Sequence, residues 1–547
     1  MPFIKGPISL QGRSSHIVLT LVIIVLFLHT LRIVSRPKPP SALLRDAEIL
    51  PEGSTSPEEL YLQRLSKDLG LTSELSWRAW RIVPSEQSED WPSVTEVNLK
   101  FEAVQPKLVD TSAPDRLDLY AKKRMELPVP ASPLLGRVDA SDFLFGISTT
   151  YARIKDRDFA MIKAWSRWLT DGHHHSNGAS LVVVLNQARN DELEEIDMTL
   201  QATGIDAWVT TTEEPMSMAR RYFELSRILK TFAANLAANG QDKRWFGLVE
   251  DDVFFPSLSH LRDRLFSYNT DGQHYIGLPS ERLDWEASDD DQGLRTYGGG
   301  AVLLTRQSIS VVPTLPCFES RASGPAFRAK RWDQLLHDCL MLHSEIDMHV
   351  LPGFYNPKDD TYDRQLDSYE TGQKPLLLRR YAQRHLLNIN KAHLVTNVCG
   401  ESCFMQRYLF DDKWVLVNGI SISHYPDGVK VSRPLPPGSP DAPAASPGKR
   451  DEEPSLDTPT EDAPTPAESG AVAIPQRVII DDELEGIDKA SLSWTGRKNM
   501  WRLVDSALSK DRAVWQAYVK RADKRDPESD QRDSVIVLIW EHGKMNA

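Results

Sequence analysis

An apolar run that ends in three successive carboxylates constrains this chain more than any other feature. Trp245-Phe246-Gly247-Leu248-Val249 leads into Glu250-Asp251-Asp252, and Val253-Phe254-Phe255 follows. Bulky apolar residues on both sides predict a strand inside a sheet. Acids in such a place are costly unless something positive offsets them. Side chains alternate along a strand, so Glu250 and Asp252 are expected to leave the same face. Two hard oxygen ligands at that spacing suit Mg²⁺ or Mn²⁺, which in turn carries phosphate. A solvated acidic turn is the plainer alternative, and the aromatic run that the acids interrupt argues against it.

The surrounding pattern alternates strands and helices. Phe143-Leu144-Phe145-Gly146-Ile147 reads as a buried strand closing with Ser148-Thr149-Thr150, and Leu181-Val182-Val183-Val184-Leu185 as a second. Residues 215–239 predict a helix, with Pro215 in its first turn and Asn239-Gly240 at its end. Met218, Tyr222, Leu225, Leu229, Phe232 and Leu236 form its apolar stripe. Tyr275-Ile276-Gly277-Leu278 and Tyr297-Gly298-Gly299-Gly300-Ala301-Val302-Leu303-Leu304 follow. Near-continuous apolar strands between helices predict an α/β fold with a mainly parallel sheet and flanking helices. Ligands of such sheets bind beyond the C-terminal strand ends, where Ser148-Thr149-Thr150 and Glu250-Asp251-Asp252 both fall. Gly298, Gly299 and Gly300 allow a close backbone approach to a ligand, or make a tight turn.

The chain has 547 residues, room for two or three domains, and a formal net charge of −13. That charge excludes a nucleic-acid partner on bulk electrostatics. The apolar run Ile17 to Leu31, broken only by Thr20, His29 and Thr30, extends to Val34 across Arg32. It predicts an N-terminal membrane anchor at 17–34 behind a cytoplasmic tail at 1–16, with a cleaved signal peptide as the rival reading. Residues 35–135 read as a stem, 136–430 as the main domain, and 431–475 as a Pro-rich linker too poor in apolar bulk to fold. Residues 476–547 read as a segment that docks on the main domain. Trp494 to Tyr518 suggest a short helical region, and Ser534 to Trp540 a strand buried on both faces. The four cysteines, Cys317, Cys339, Cys399 and Cys403, allow three pairings, of which short separation favours Cys317–Cys339 and Cys399–Cys403. Disulfides imply an oxidising lumen and hence a type II topology; a zinc site lacks the Cys-x₂-Cys spacing.

A carboxylate cluster at a strand end, a glycine-rich strand entry and an anchor fit a nucleotide-sugar transferase. The chain resembles the fringe-type glycosyltransferases, in particular their fungal branch, from about Leu134 to Pro426 and weakly over 494–541. The segments that carry the resemblance are Asp142 through Arg153, Trp245 through Pro256, Gly298-Gly299-Gly300-Ala301, and Val398-Cys399-Gly400-Glu401-Ser402-Cys403 leading to Asn418-Gly419. The resemblance implies a GT-A-like fold, a UDP-sugar donor, a glycan or glycoprotein acceptor, Mn²⁺ (or Mg²⁺), and inverting transfer of β-1,3 type in the Golgi or another secretory-pathway membrane. It makes Asp252 the direct metal ligand with Asp251 as a second, and puts Asp251 and Glu250 on the ribose and phosphate side. Thr149, Thr150 and Arg153 match the strand end that meets the nucleotide. Asp333 matches the general base at a helix start, with Asp338 in reserve. The family has Asp where this chain has the longer Glu250. Where it has Pro-Leu-x-Ser-Leu-His-His, this chain reads Pro375-Leu376-Leu377-Leu378-Arg379-Arg380-Tyr381. His385 or His424 is then expected to complete metal binding, or Arg379 or Arg380 to neutralise the diphosphate directly. His173-His174-His175 reads as a solvated loop.

Two other functions fit parts of the pattern. One is a relative of weak activity that binds a nucleotide sugar or glycan as an interaction module. The other, a metal-dependent phosphoesterase, calls for further acid clusters and His ligands that the sequence does not offer.

Overall fold

Helix α1 (Pro57–Leu69) begins at Ser56, whose hydroxyl accepts from the Glu59 amide, and ends at Gly70 in the left-handed conformation. The computed structural model describes residues 56–87, 93–112, 117–130, 138–172, 174–279, 285–287, 294–318, 331–351, 375–384, 386–432, 477–480, 490–522 and 531–542. The expected anchor at 17–34 and nearly all of the expected linker lie outside them. No helix among the described residues is long and apolar enough to cross a membrane. Four strands follow α1: β1 (Glu74–Gln87), β2 (Thr95–Val97), β3 (Lys107–Asp110) and β4 (Arg124–Pro130).

The α/β core comes next. Its order is β5 (Phe143–Thr149), α2 (Tyr151–Leu169), β6 (Ser180–Asn186), α3 (Asn190–Ala202), β7 (Ala207–Thr212), α4 (Met218–Ala238) and β8 (Trp245–Val249). Then come β9 (Val253–Phe254), α5 (Leu258–Leu265), β10 (Tyr275–Gly277), a ribbon of β11 (Trp285–Ala287) and β12 (Leu294–Thr296), β13 (Ala301–Thr305), α6 (Arg306–Val311), α7 (Trp332–His343) and β14 (Met348–Val350). Strands β5, β8 and β13 are buried along their whole length, as their continuous apolar sequences require. Helix α4 starts later than its sequence suggests. Ser217 caps it by accepting from the Arg220 amide, and Pro215 stands before it. Tyr222, Leu225, Leu229 and Leu236 bury the predicted stripe against Leu144, Val182, Leu248 and, from α7, Leu336 and Leu340. Met218, at the head of that stripe, is exposed. Helix α2 is broken at Asp156–Phe159, where Arg157, Asp158 and Phe159 take positive φ.

The remaining strands are β15 (Leu378–Arg379), β16 (Arg407–Phe410), β17 (Trp414–Val417), β18 (Ser421–His424), β19 (Val429–Ser432), β20 (Val478–Ile480), β21 (Ser491–Trp494), β22 (Asn499–Leu508), β23 (Val514–Lys520) and β24 (Asp533–Trp540). Two large sheets result. The eight-stranded one has the order β20-β14-β10-β13-β8-β5-β6-β7 and is a mixed α/β layer. All its pairings are parallel except those of β13, which runs antiparallel to β8 and β10. The ten-stranded one runs β2-β16-β17-β18-β22-β23-β24-β1-β3, with β4 also on β1.

The second sheet corrects two expectations. The described residues of the region read as a stem, 56–87, 93–112 and 117–130, are folded, because β1 needs a partner for Leu75, Trp77, Ala79 and Ile82, all buried. That partner is β24, parallel in register from Leu75↔Asp533 to Ile82↔Trp540. The region read as helical is β21, β22 and β23, whose β-branched and aromatic residues pack across strands rather than along a helix stripe. Disulfides join Cys317 to Cys339 and Cys399 to Cys403.

Candidate active site

The winding of the eight-stranded sheet creates a crevice. From β5 the chain steps to β6 and β7 on one side, then returns through α4 to β8 on the other side of β5. All four strands are parallel, so their C-terminal ends diverge at the β5–β8 boundary, the place where open α/β sheets bind ligands. β5 delivers Thr149 and Thr150 there, and β8 delivers Glu250, Asp251 and Asp252. The register Ile147↔Val249, carried two residues further, brings Thr149 level with Asp251, and the Thr149 hydroxyl donates to that carboxylate.

The three acids face three different environments. Glu250 points to α7 and to the segment after β9. Arg379 grips it with Nε and Nη2 at 2.7 and 2.8 Å, and the Trp332 indole donates to Oε1 at 2.9 Å. Arg379 arrives because β15 pairs antiparallel with β9, Arg379 opposite Val253. Its side chain crosses Gly300, where a Cβ would lie 2.9 Å from Arg379 Cδ, and the Glu250 amide donates to the Gly300 carbonyl at 2.9 Å. The glycine thus makes room for the Arg379 side chain. Gly298 and Gly299 make the turn before it, at φ +112° and +67°. Asp251 points the other way, into a two-pronged grip by Arg153 Nε and Nη2 at 2.7 and 2.6 Å. The Trp165 indole donates to the Asp251 carbonyl at 3.0 Å. Thr150 caps α2 by accepting from the Arg153 amide.

Asp252 is different. Its backbone carbonyl accepts from the Arg380 amide at 2.9 Å, and Oδ2 lies 3.6 Å from Arg153 Nη2. Oδ1 is buried without a hydrogen-bond partner. Burial, then the charges of Asp251 and Glu250, push this carboxyl up to about 6, against the pull of Arg153 and Arg379. Tyr381 sits nearby, its ring edge-on to Phe254, and burial followed by the Asp252 and Asp251 charges raises its phenol. An orphaned carboxylate oxygen fits a hard divalent cation, which commonly takes one or two protein carboxylates and completes its shell with phosphate and water. In this structure Arg153 holds Asp251 and Arg379 holds Glu250. Among the described residues no group of three or more His, Cys, Asp and Glu side chains gathers as a cation cage.

Helix α7 begins at the same crevice. Trp332 stacks on Tyr222 of α4 with centroids 4.3 Å apart while reaching Glu250. Asp333, 1 % exposed, accepts from Arg331 through both oxygens, Nε at 3.0 Å. Burial raises its pKa and Arg331 holds it down. Asp338 lies further along and faces His337, whose Nδ1 is 3.1 Å from Oδ1. Asp333 feels the charges of Glu250 and Arg379, which ties it to the acid turn.

The structure separates His424 from this group. It lies on β18 of the ten-stranded sheet, stacked on Trp414 at 4.6 Å, with Glu102, Asp412, Arg78 and Lys413 as its charged surroundings. It is not a ligand beside Asp252. His385 lies outside the described residues. His175 is exposed and faces Asp171 Oδ2 at 3.0 Å. The sequence reading named Arg379 only as a phosphate partner and missed Trp332 and Tyr222. Trp332 directly precedes the proposed base, which was the available signal.

No family model matches the chain, and no curated protein does. Several solved structures align with part of it. An inositol-1-phosphate CTP transferase from T. maritima is 15 % identical, covering 38 % of this chain and 85 % of that one at a TM-score of 0.24. The apo-form glycosyltransferase GlyE of Streptococcus pneumoniae is 14 % identical, covering 37 % and 44 % at 0.22. Mouse xyloside xylosyltransferase 1 is 9 % identical, covering 31 % and 69 % at 0.18. All three are transferases by name; at these TM-scores the likeness carries no weight, and the geometry of the crevice has to carry the functional reading.

Proposed function

We propose that this chain is a nucleotide-sugar-dependent glycosyltransferase of GT-A-like fold, acting on a UDP-sugar and a glycan or glycoprotein acceptor with inversion. The observation that carries the proposal is the unpartnered Asp252 Oδ1 at the β5–β8 crossover, flanked by two acids already clamped by arginines. Asp252 would hold Mn²⁺ or Mg²⁺, which when bound supplies positive charge to a leaving diphosphate. The chain's own residues do the rest. Arg153 and Arg379 fix the acid turn, so that Asp252 is presented and not its neighbours. Trp332 ties the start of α7 to that turn and so sets the distance between Asp252 and Asp333. Asp333 takes the proton of the acceptor hydroxyl as that oxygen bonds to the anomeric carbon and the bond from that carbon to phosphate breaks, releasing UDP. Its raised pKa suits a base better than an ordinary aspartate. The two disulfides support the assignment of this domain to an oxidising lumen behind a type II anchor at 17–34.

A panel of UDP-sugars with full-length protein and Mn²⁺ tests the proposal, by release of UDP and by transfer. Asp333→Asn is expected to lower transfer by ~10²–10⁴ and to leave Mn²⁺-dependent UDP binding intact. Asp338→Asn should be far milder. A wild type that neither binds UDP nor turns over any donor refutes it. The burial of Asp333 under Arg331 favours one second reading, a module that binds the nucleotide sugar without transferring it. UDP binding with no turnover from any donor selects that reading.

A further inference from the structure

Arginines at the carboxyl end of the eight-stranded sheet are mostly matched to acids. Arg379 holds Glu250, Arg153 holds Asp251, and Arg331 holds Asp333. Arg221, in the first turn of α4, has no such acid among the described residues. Its Nε donates to the Ser148 hydroxyl at 2.9 Å and its Nη1 to the Met216 carbonyl at 2.9 Å, both neutral oxygens. Among the described residues no carboxylate forms an ion pair with it.

That arrangement is costly. The guanidinium is half-buried, and desolvation pulls its pKa down, with Tyr222 and Asp251 only partly offsetting this. The first turn of a helix adds a field of the same sign. Yet the side chain is held in place: Ser148, 3 % exposed, is the residue of β5 just before Thr149, so Nε is pinned at the strand end that lines the crevice. Ser148 and Thr149 leave opposite faces of β5. Arg221 therefore borders the crevice from the α4 side, as Arg153 borders it from the α2 side. Among the described residues the crevice thus offers a carboxylate oxygen without a hydrogen-bond partner, Asp252 Oδ1, and a guanidinium without an ion pair, Arg221. A ligand that brings a divalent cation and a phosphate together satisfies both at once.

We propose that Arg221, pinned by Ser148, is the cation that receives the diphosphate of the nucleotide sugar. The assignment rests on the transferase reading above and deepens it. Guanidinium geometry suits phosphate oxygens, and the Ser148 and Met216 contacts leave Nη2 to make the new bond.

Calorimetry on the full-length protein with UDP, uridine and inorganic pyrophosphate, each in Mn²⁺, tests it. Arg221→Gln should weaken UDP and pyrophosphate at least tenfold and leave uridine unchanged, while Arg221→Lys should fall between. Ser148→Ala should cost roughly threefold for pyrophosphate, and it keeps the test open if Arg221→Gln does not fold. Wild-type affinity for pyrophosphate in both Arg221→Gln and Ser148→Ala overturns the inference and leaves the transferase reading standing. Pyrophosphate binding that depends on Arg221, in a protein that binds neither UDP nor uridine, supports the anion site and sinks the sugar-nucleotide reading. No binding of any of the three by wild type sinks both.

Discussion

The two sheets bury acids in opposite ways. In the ten-stranded sheet each deeply buried Asp is satisfied. Asp505 of β22 receives Arg64 and Lys391, and Asp533 of β24 receives Arg521, the Ala522 amide and the Thr72 amide. In the eight-stranded sheet Glu250 and Asp251 are satisfied, but Asp252, the next residue, keeps an oxygen with no partner. A buried acid with its cations in place is part of the scaffold. A buried acid with an oxygen left unpartnered is the group on which the proposed cation site rests. Removing a carboxylate should therefore have opposite signs in the two sheets.

The largest effect tests whether the scaffold sheet is one unit. Deleting 531–547 removes β24, where Val535 through Trp540 are each 1 % exposed or less. Six such side chains at about 1.5–3 kcal/mol each are worth roughly 9–18 kcal/mol, as much as the 5–15 kcal/mol of a typical domain's stability. No soluble, cooperatively unfolding product is expected. A well-folded truncation, or a well-folded 135–434 fragment, would break the description of this sheet.

Next in size is Asp505→Ala. It strands Arg64 and Lys391 and should cost about 3–5 kcal/mol in urea unfolding. A change below ~1 kcal/mol would show that the buried network adds nothing to the scaffold.

Asp252→Asn should do the reverse. The fold raises this carboxyl from its ordinary value near ~4 to about 6, so it favours the protonated form. The stability this gives is fully present below pH ~4 and is lost as pH rises through about 6. At pH 7 without divalent cations, Asn should stabilise the protein by up to about 3 kcal/mol, and the gain should vanish toward pH 4. The same variant should lose at least ~10-fold in Mn²⁺-dependent UDP affinity. Destabilisation at pH 7 would mean that Asp252 belongs with Asp505 and not apart from it.

The smallest effect concerns neither sheet. Deleting 435–470, a stretch with little apolar bulk, should change stability by less than ~1 kcal/mol, since loop closure entropy grows slowly with length. A larger loss would show that this stretch packs on one of the two sheets.

The sequence was legible where partners are close along the chain. Continuous apolar runs give β5, β6, β8 and β13, and 3.6-residue periodicity gives α4. The acid turn is visible because three carboxylates interrupt aromatics. What was not legible depends on distant pairing. Trp77 and Trp80 look like isolated apolar residues in a polar stem until β24 supplies a neighbour for β1. The split of roles among Glu250, Asp251 and Asp252 depends on Arg379 and Arg153, which lie 129 and 98 residues away. His424 was misplaced for the same reason: sequence order puts it after Arg379 and Arg380, while β17 and β22 hold it in the other sheet.

The pairing of β1 with β24 sets a timetable for making the protein. Leu75 waits for Asp533, which is 533 − 75 = 458 residues later. At ~5–20 residues per second a ribosome needs roughly 20–90 s to supply it. The eight-stranded sheet can close during that interval, because β5 through β14 and then β20 all precede β24. For the same interval β1 shows an unpaired edge with Leu75, Trp77, Trp80 and Ile82 beside it, an invitation to any other unpaired strand within reach. Slowing synthesis between β23 and β24 should therefore raise aggregation while leaving the folded product unchanged, which pelleting of newly made chain against a synonymous control measures.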